Sequence, residues 1–281
     1  MTRRGERGGH TAVGDHDIGQ DDGLPRLNAE HGAVSVALKC GSVWGGTRDL
    51  DEDVRTGGVT ASVYSESYEG GRGGDIYWFS TCGHDLLTRI ALADVCGHGH
   101  TVNQVAEWMY RRLIDHMNQP DGAEILRELN VQAVQYGLRA MTTATILSWY
   151  RRDGLLRFAY AGAPPILVRR RDGDGWHPIE LAHAESEPAN LPLAVEPEAR
   201  FDQGQMHLAA GDRVFLYTDG VLDVPSLERD RFGMTRLIEV LDAHGTESPS
   251  EIKHHVLQAL SDFAQGPFHH DDLTLIAIEV H

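Results

Sequence analysis

The chain is predicted to fold as an α+β domain built on antiparallel sheets. Three observations lead there. Strand-like runs follow one another across short turn signals, helical periodicity is confined to two separate pairs of segments, and no regular alternation of single strands with single helices marks a parallel βαβ sheet.

Taken in order, residues 1–30 are rich in Gly, Asp, Arg and His with almost no apolar periodicity, and a disordered tail is expected there. Residues 31–281 are read as one domain without internal repeats. Val34–Leu38 and Val59–Tyr64 have strand composition, with an acidic, turn-rich Asp49–Gly58 between them. Ile76–Phe79 and Leu87–Ala93 are predicted to pair as a hairpin through Thr81–Asp85. Two amphipathic helices follow, over 102–118 and 122–138, the second starting at Asp121-Gly122. Further strands are expected at Thr142–Tyr150, Leu155–Ala161, Ile166–Arg170, Gln205–Leu208 and Arg213–Thr218, with 172–190 a polar Gly/Pro-containing loop. A second helix pair is expected at about 233–243 and 249–264, capped by Ser248 or Ser250, before a final strand over 273–280.

Composition limits the function. With 42 Asp+Glu against 25 Lys+Arg the 281-residue chain carries a formal charge of −17, which argues against nucleic acid or an anionic membrane as the main partner. No run approaches the roughly 20 apolar residues of a membrane span, and the charged N-terminus has no apolar segment behind it, so a cytoplasmic protein is expected. Cys40, Cys82 and Cys96 suggest neither a disulfide framework nor a zinc ribbon.

Within this frame, four carboxylates stand at the mouths of apolar strands. Asp94 ends the run Leu87–Val95 before Gly97 and Gly99; Asp75 follows a glycine cluster and precedes Ile76–Phe79; Asp219-Gly220 ends Val214–Thr218; and Asp271-Asp272 precedes the last strand. Aspartates at such positions also serve as caps and turn residues. Several converging on one cleft, however, would not all stay ionised without a cation between them, and oxygen-only donors suit Mg²⁺ or Mn²⁺ better than zinc.

GGDIYW (73–78), ADVCGHG (93–99), YTDGVLD (217–223) and DDLTLIAI (271–278), in that order, resemble the PPM-type metal-dependent serine/threonine protein phosphatases, nearest to the branch of sporulation stage II protein E. MTTATIL (141–147) and YAGAPPILVRR (160–170) add weaker matches, so the resemblance extends over roughly residues 57–281. It implies an α-β-β-α sandwich, two antiparallel sheets flanked by helices with a metal cleft at one edge. It also implies two divalent cations, Mn²⁺ or Mg²⁺, that activate a water molecule, with no protein nucleophile. By the same resemblance Asp94 bridges the ions, the Val95 carbonyl completes one sphere, Asp75 fills the first acidic position, and Asp219 and Asp271 hold the second ion. Asp223 and Asp272 are supporting residues. The implied substrate is a phosphorylated STAS-type anti-sigma-factor antagonist in a bacterial partner-switching pathway. Residues 102–138 match the helix pair thought to switch that branch, which leaves room for a separate activator. The alternatives are a catalytically silent docking module, or pseudophosphatase, and a metal hydrolase of small phosphoesters. Cys96 stands where relatives commonly have Ser, and Ala163 where a His is common. His98, His269 and His270 are read as loop residues rather than catalytic ones.

Overall fold

The computed structural model describes residues 34–281 apart from 83, 98, 117, 118, 182–188, 268 and 269. The tail expected over 1–30, together with His98 and His269, therefore lies outside the described residues. In chain order the strands β1 (Val34–Ala37), β2 (Val43–Arg48), β3 (Leu50–Arg55), β4 (Val59–Glu66), β5 (Arg72–Cys82) and β6 (Leu87–Val95) precede helices α1 (His100–Asp115) and α2 (Gly122–Tyr136). Strands β7 (Thr142–Tyr150), β8 (Leu155–Ala161), β9 (Ile166–Arg169), β10 (Trp176–Ile179), β11 (Gly204–His207) and β12 (Arg213–Tyr217) follow. Helices α3 (Asp219–Asp223), α4 (Gly233–His244) and α5 (Pro249–Ala264) then lead to β13 (Leu273–Val280).

The strands form two sheets, β1-β3-β4-β13-β12-β9-β10 and β11-β8-β7-β6-β5-β2. Every pair is antiparallel except β1 with β3. Period-two alternation sorts the side chains into layers. On β5, Tyr77 and Phe79 meet Ile90, Leu147, Leu216 and Ile276 between the sheets. Ile76 and Trp78 on its other face pack with Met109, Leu126 and Leu129 under α1 and α2. Phe215 and Leu275 of the first sheet face outward to Leu237, Leu241, Val256 and Leu260 of α4 and α5. The result is the four-layer α-β-β-α sandwich implied by the resemblance, and burial on both faces explains why β5 and β6 read as near-continuous apolar runs.

Local chemistry sets the helix starts. Asp121 accepts hydrogen bonds from the Ala123 and Glu124 amides at the head of α2. Ser248 caps α5 through a reciprocal capping box with Glu251, followed by Pro249 in the first turn.

Four elements differ from the sequence-based expectation. β2 (Val43–Arg48) lies where no strand is expected, a short run interrupted by Gly45 and Gly46 that pairs with β5. The acidic stretch read as a turn contains β3: Leu50 and Val54 bury on one face, while Asp51 on the other pairs with Lys253 of α5 and Asp53 accepts a hydrogen bond from Ser62 at 2.6 Å. The loop read over 172–190 contains β10, an edge strand that tolerates Pro178 and buries Trp176 against Phe215. Asp219 to Asp223 form the short helix α3. Lys253 is buried, so its partner matters. Asp51→Ala is expected to destabilise the protein by roughly 1–3 kcal/mol, and Glu52→Ala by clearly less. Equal urea midpoints for the two variants would rule out the ion pair as the reason acids are tolerated in β3.

Candidate metal centre

The alternation that builds the inter-sheet core also builds the site. Asp75 lies two residues before Tyr77 on β5, Asp94 two after Leu92 on β6, and Thr218 two after Leu216 of β12, so all three continue rows that face between the sheets. Asp272 and Thr274 continue the corresponding row of β13. Asp75 and Asp94 are direct cross-strand partners. Thr218 ties the two sheets together: its hydroxyl donates to Asp75 Oδ2 at 2.9 Å and accepts from the Thr274 amide at 3.0 Å. Thr218 and Thr274 were not singled out from the sequence, although extending the period-two rows by one step past the apolar residues finds both.

Asp272 organises the loops around the mouth. One carboxylate oxygen accepts from the Tyr68 amide at 2.7 Å and the other from the Gly74 amide, while its own amide donates to Asp271 Oδ1 at 2.9 Å. Three glycines make room for it. A Cβ on Gly73 would lie 2.6 Å from the Asp272 carboxylate, and one on Gly220 would lie 2.0 Å from the Asp272 carbonyl oxygen. A Cβ on Gly74 would lie 2.6 Å from the Val95 carbonyl oxygen, which places that carbonyl beside Asp75 at the same mouth.

The electrostatics are those of crowded acids. Burial, then the neighbouring Asp94, holds Asp75 well above the ordinary carboxylate range. Burial, followed by Asp219, Asp271 and Asp272, pushes Asp94 up to about 8. Burial, followed by Asp223, raises Asp219, and burial is also the main cause that raises Asp271. Asp75 Oδ1 is shielded from solvent and has no hydrogen-bond partner among the described residues. A buried orphan oxygen among mutually repelling carboxylates and a backbone carbonyl is a donor set for a hard divalent cation. The residues present fit such ions.

The remaining candidates fall into place around this cluster. Asp223 is engaged by the Arg231 guanidinium at 2.8 and 3.0 Å, so any contact with a further cation would have to displace that pair. His270 Nε2 lies 3.0 Å from the Gly220 carbonyl, which ties the loop before β13 to α3. Burial, reinforced by Asp94, Asp219 and Asp271, pushes the Cys96 thiol up to about 11, away from the thiolate form a redox sensor needs.

Comparison with known proteins bears on the family and the fold. Residues 85–281 match the family model described as Stage II sporulation protein E, more than half of the chain; Asp75 precedes the matched span. Protein IcfG of Synechocystis sp. is 29% identical over 126 residues, which cover 45% of this chain and 18% of that protein, so the match spans about a fifth of that relative. Among solved structures, the RsbU and RsbW domains of a Mycobacterium tuberculosis protein superpose with a TM-score of 0.66 at 20% identity, covering 84% of this chain and 62% of that one. RsbX, solved in complex with magnesium, superposes with a TM-score of 0.60 at 17% identity, covering 83% of this chain and 100% of that one. Among the described residues no helix is long and apolar enough to cross a membrane.

Proposed function

The chain belongs to the Stage II sporulation protein E family, and from that premise we propose that it is a metal-dependent phosphoprotein phosphatase acting on phosphoserine or phosphothreonine. The observation that carries the reading is the convergence of Asp75, Asp94, Asp219 and Asp271 from both sheets on one cleft, with an orphaned buried oxygen among them. Asp94 and the Val95 carbonyl, with Asp75, would hold one cation; Asp94, Asp219 and Asp271 would hold a second. Mn²⁺ or Mg²⁺ fits the all-oxygen donor set, and magnesium is present in the RsbX structure. When bound, two such ions lower the pKa of a water molecule and neutralise phosphoryl oxygens.

The chain's own residues supply position and rigidity. Thr218 fixes Asp75 by its hydroxyl, and Asp272 holds the Gly74 and Tyr68 amides so that the backbone at Asp75 keeps its place. In this reading the aspartates serve as ligands and the nucleophile is water, as the family resemblance implies. Val102 of α1 sits over this backbone: a Cβ on Gly74 would lie 2.9 Å from it, and one on Gly97 3.4 Å. Movement of α1 would therefore press on the strand ends that carry Asp75 and Asp94, which supports a role for α1 and α2 in control by a separate activator.

The substrate we infer is a phosphorylated STAS-type anti-sigma-factor antagonist. The family supports this reading, as does the likeness to a chain that carries RsbU and RsbW domains together. The test is turnover of a phosphoserine peptide and of p-nitrophenyl phosphate with Mn²⁺, Mg²⁺ or excess EDTA. Metal-dependent release of phosphate from the peptide, abolished by EDTA, is expected. Silence of a folded protein in all conditions, including with its activator, would leave a docking module instead. Preference for nucleotides or sugar phosphates over the peptide would point to a small-phosphoester hydrolase.

A further inference from the structure

A second group of potential ligands lies far from the aspartates, at the corner between α4 and α5. His244 is the last residue of α4, Glu247 lies in the connecting turn, and His255 occupies the second turn of α5. One donor atom from each lies within 4.8 Å of the others. The two imidazoles stack face to face, with centroids 3.5 Å apart and planes inclined by 11°. They address opposite oxygens of one carboxylate: His244 Nδ1 is 3.0 Å from Glu247 Oε1, and His255 Nε2 is 3.0 Å from Oε2.

We propose that His244, Glu247 and His255 form a binding site for a divalent transition-metal ion of the zinc class, separate from the aspartate cluster. One observation favours an ion over a plain hydrogen-bonded pair. Glu247 Oε2 is screened from solvent and accepts no hydrogen bond from the described residues, although His255 Nε2 lies beside it. Close approach of two donor atoms that do not aim at each other is the arrangement of ligands facing a common third point. Two neutral imidazoles and a carboxylate form the His₂Glu set that zinc takes with a fourth position open. Bonds of about 2.0–2.2 Å set donor atoms a little over 3 Å apart around a tetrahedral ion; the donor atoms here lie within 4.8 Å of one another, and coordination requires the two half-exposed rings to turn out of their stack so that their lone pairs meet at the ion.

Access and position fit a separate site. The three side chains are 31%, 36% and 35% exposed, so an ion can enter from solvent and keep a water or an exogenous ligand. Arg213, at the start of β12, donates to the Thr246 carbonyl at 3.3 Å beside this corner, whereas Asp219 follows the other end of the same strand. At about 3.3 Å per residue, the two sites stand roughly 20 Å apart. The nitrogen-containing set selects zinc-class ions, and the all-oxygen cluster selects Mg²⁺ or Mn²⁺. An ion here would pin the end of α4 to the start of α5.

The test uses the full chain, stripped of metal and titrated with Co²⁺. The expected result is one equivalent giving the intense visible absorption of tetrahedral Co²⁺, displaced by Zn²⁺ and retained in Asp219→Asn. His244→Ala and His255→Ala should each lose the band and weaken Zn²⁺ binding at least roughly tenfold, the low end of what loss of even a supporting group costs a metal site. Should either alanine variant fail to fold by circular dichroism, Glu247→Gln reads the same question. Phosphatase turnover with Mn²⁺ is expected to be unchanged in His244→Ala. A band that is absent, that survives all three substitutions, or that disappears in Asp219→Asn would overturn the proposal.

Discussion

Asp94→Asn is expected to lower metal-dependent turnover by at least on the order of 10²–10³-fold, the loss that follows removal of one preorganised electrostatic group. It is also expected to raise the melting temperature of the metal-free protein. Both effects come from one fact of placement. Asp94 faces Asp75 across β5 and β6 and lies within the field of Asp219, Asp271 and Asp272. With cations present its charge helps to hold them; without cations, folding near pH 7 must either protonate Asp94 or bury its charge among other acids, a cost that Asn does not carry. Each kcal/mol relieved would appear as roughly 2–4 °C in a domain of this size. Steady-state kinetics with Mn²⁺ and thermal denaturation in EDTA measure the two arms. An unchanged rate would remove Asp94 from the reaction, and a lower metal-free melting temperature would mean that its packing outweighs its charge.

Gly220→Ala is expected to damage both fold and activity. The added methyl would lie 2.0 Å from the Asp272 carbonyl oxygen, a backbone atom that has no free rotation with which to escape. Overpacking of this kind costs about 1–3 kcal/mol. The displaced segment carries Asp271 and Asp272, and Gly220 itself adjoins Asp219, so turnover is expected to fall further than the loss of stability explains. Gly46→Ala is the control, because its new Cβ would meet nothing closer than the Tyr77 hydroxyl at 3.4 Å. If Gly220→Ala kept wild-type urea midpoint and rate, the close approach would have no energetic meaning.

Legibility in the sequence followed the strength of the apolar signal. Strands β7, β8 and β13 have the predicted boundaries, because each is buried, is rich in branched or aromatic residues and is bounded by turn residues. The helix pairs were legible from their spacing and from Asp121 and Ser248. β3 was hidden because only Leu50 and Val54 carry its apolar face, and its acids are tolerated through partners distant in sequence, Lys253 among them. β10 was hidden by Pro178, which a central strand would exclude and an edge accepts. At the site, the four aspartates were visible because each interrupts an apolar run. Thr218 was not, since a threonine at a strand end is ordinary, and its bond to Asp75 joins residues 143 positions apart. The pairing of Asp223 with Arg231 and the His244–Glu247–His255 corner likewise depend on how helices and turns meet in space.

The place of β13 has a consequence for how the protein comes into being. It lies between β4 and β12, pairing along its whole length with Val59–Glu66, and Asp271 and Asp272 stand at its threshold. A chain synthesised as far as residue 270 would hold one complete sheet and another split down its middle, with the edges of β4 and β12 bare and two of the five aspartates of the cleft missing. Such an intermediate offers two unpaired strand edges to its neighbours, and the two halves of the first sheet can be joined only across a very long loop. Completion of the aspartate cluster and closure of the fold are thus a single event, and a nascent chain cannot be safely left alone until the strand that performs it has arrived.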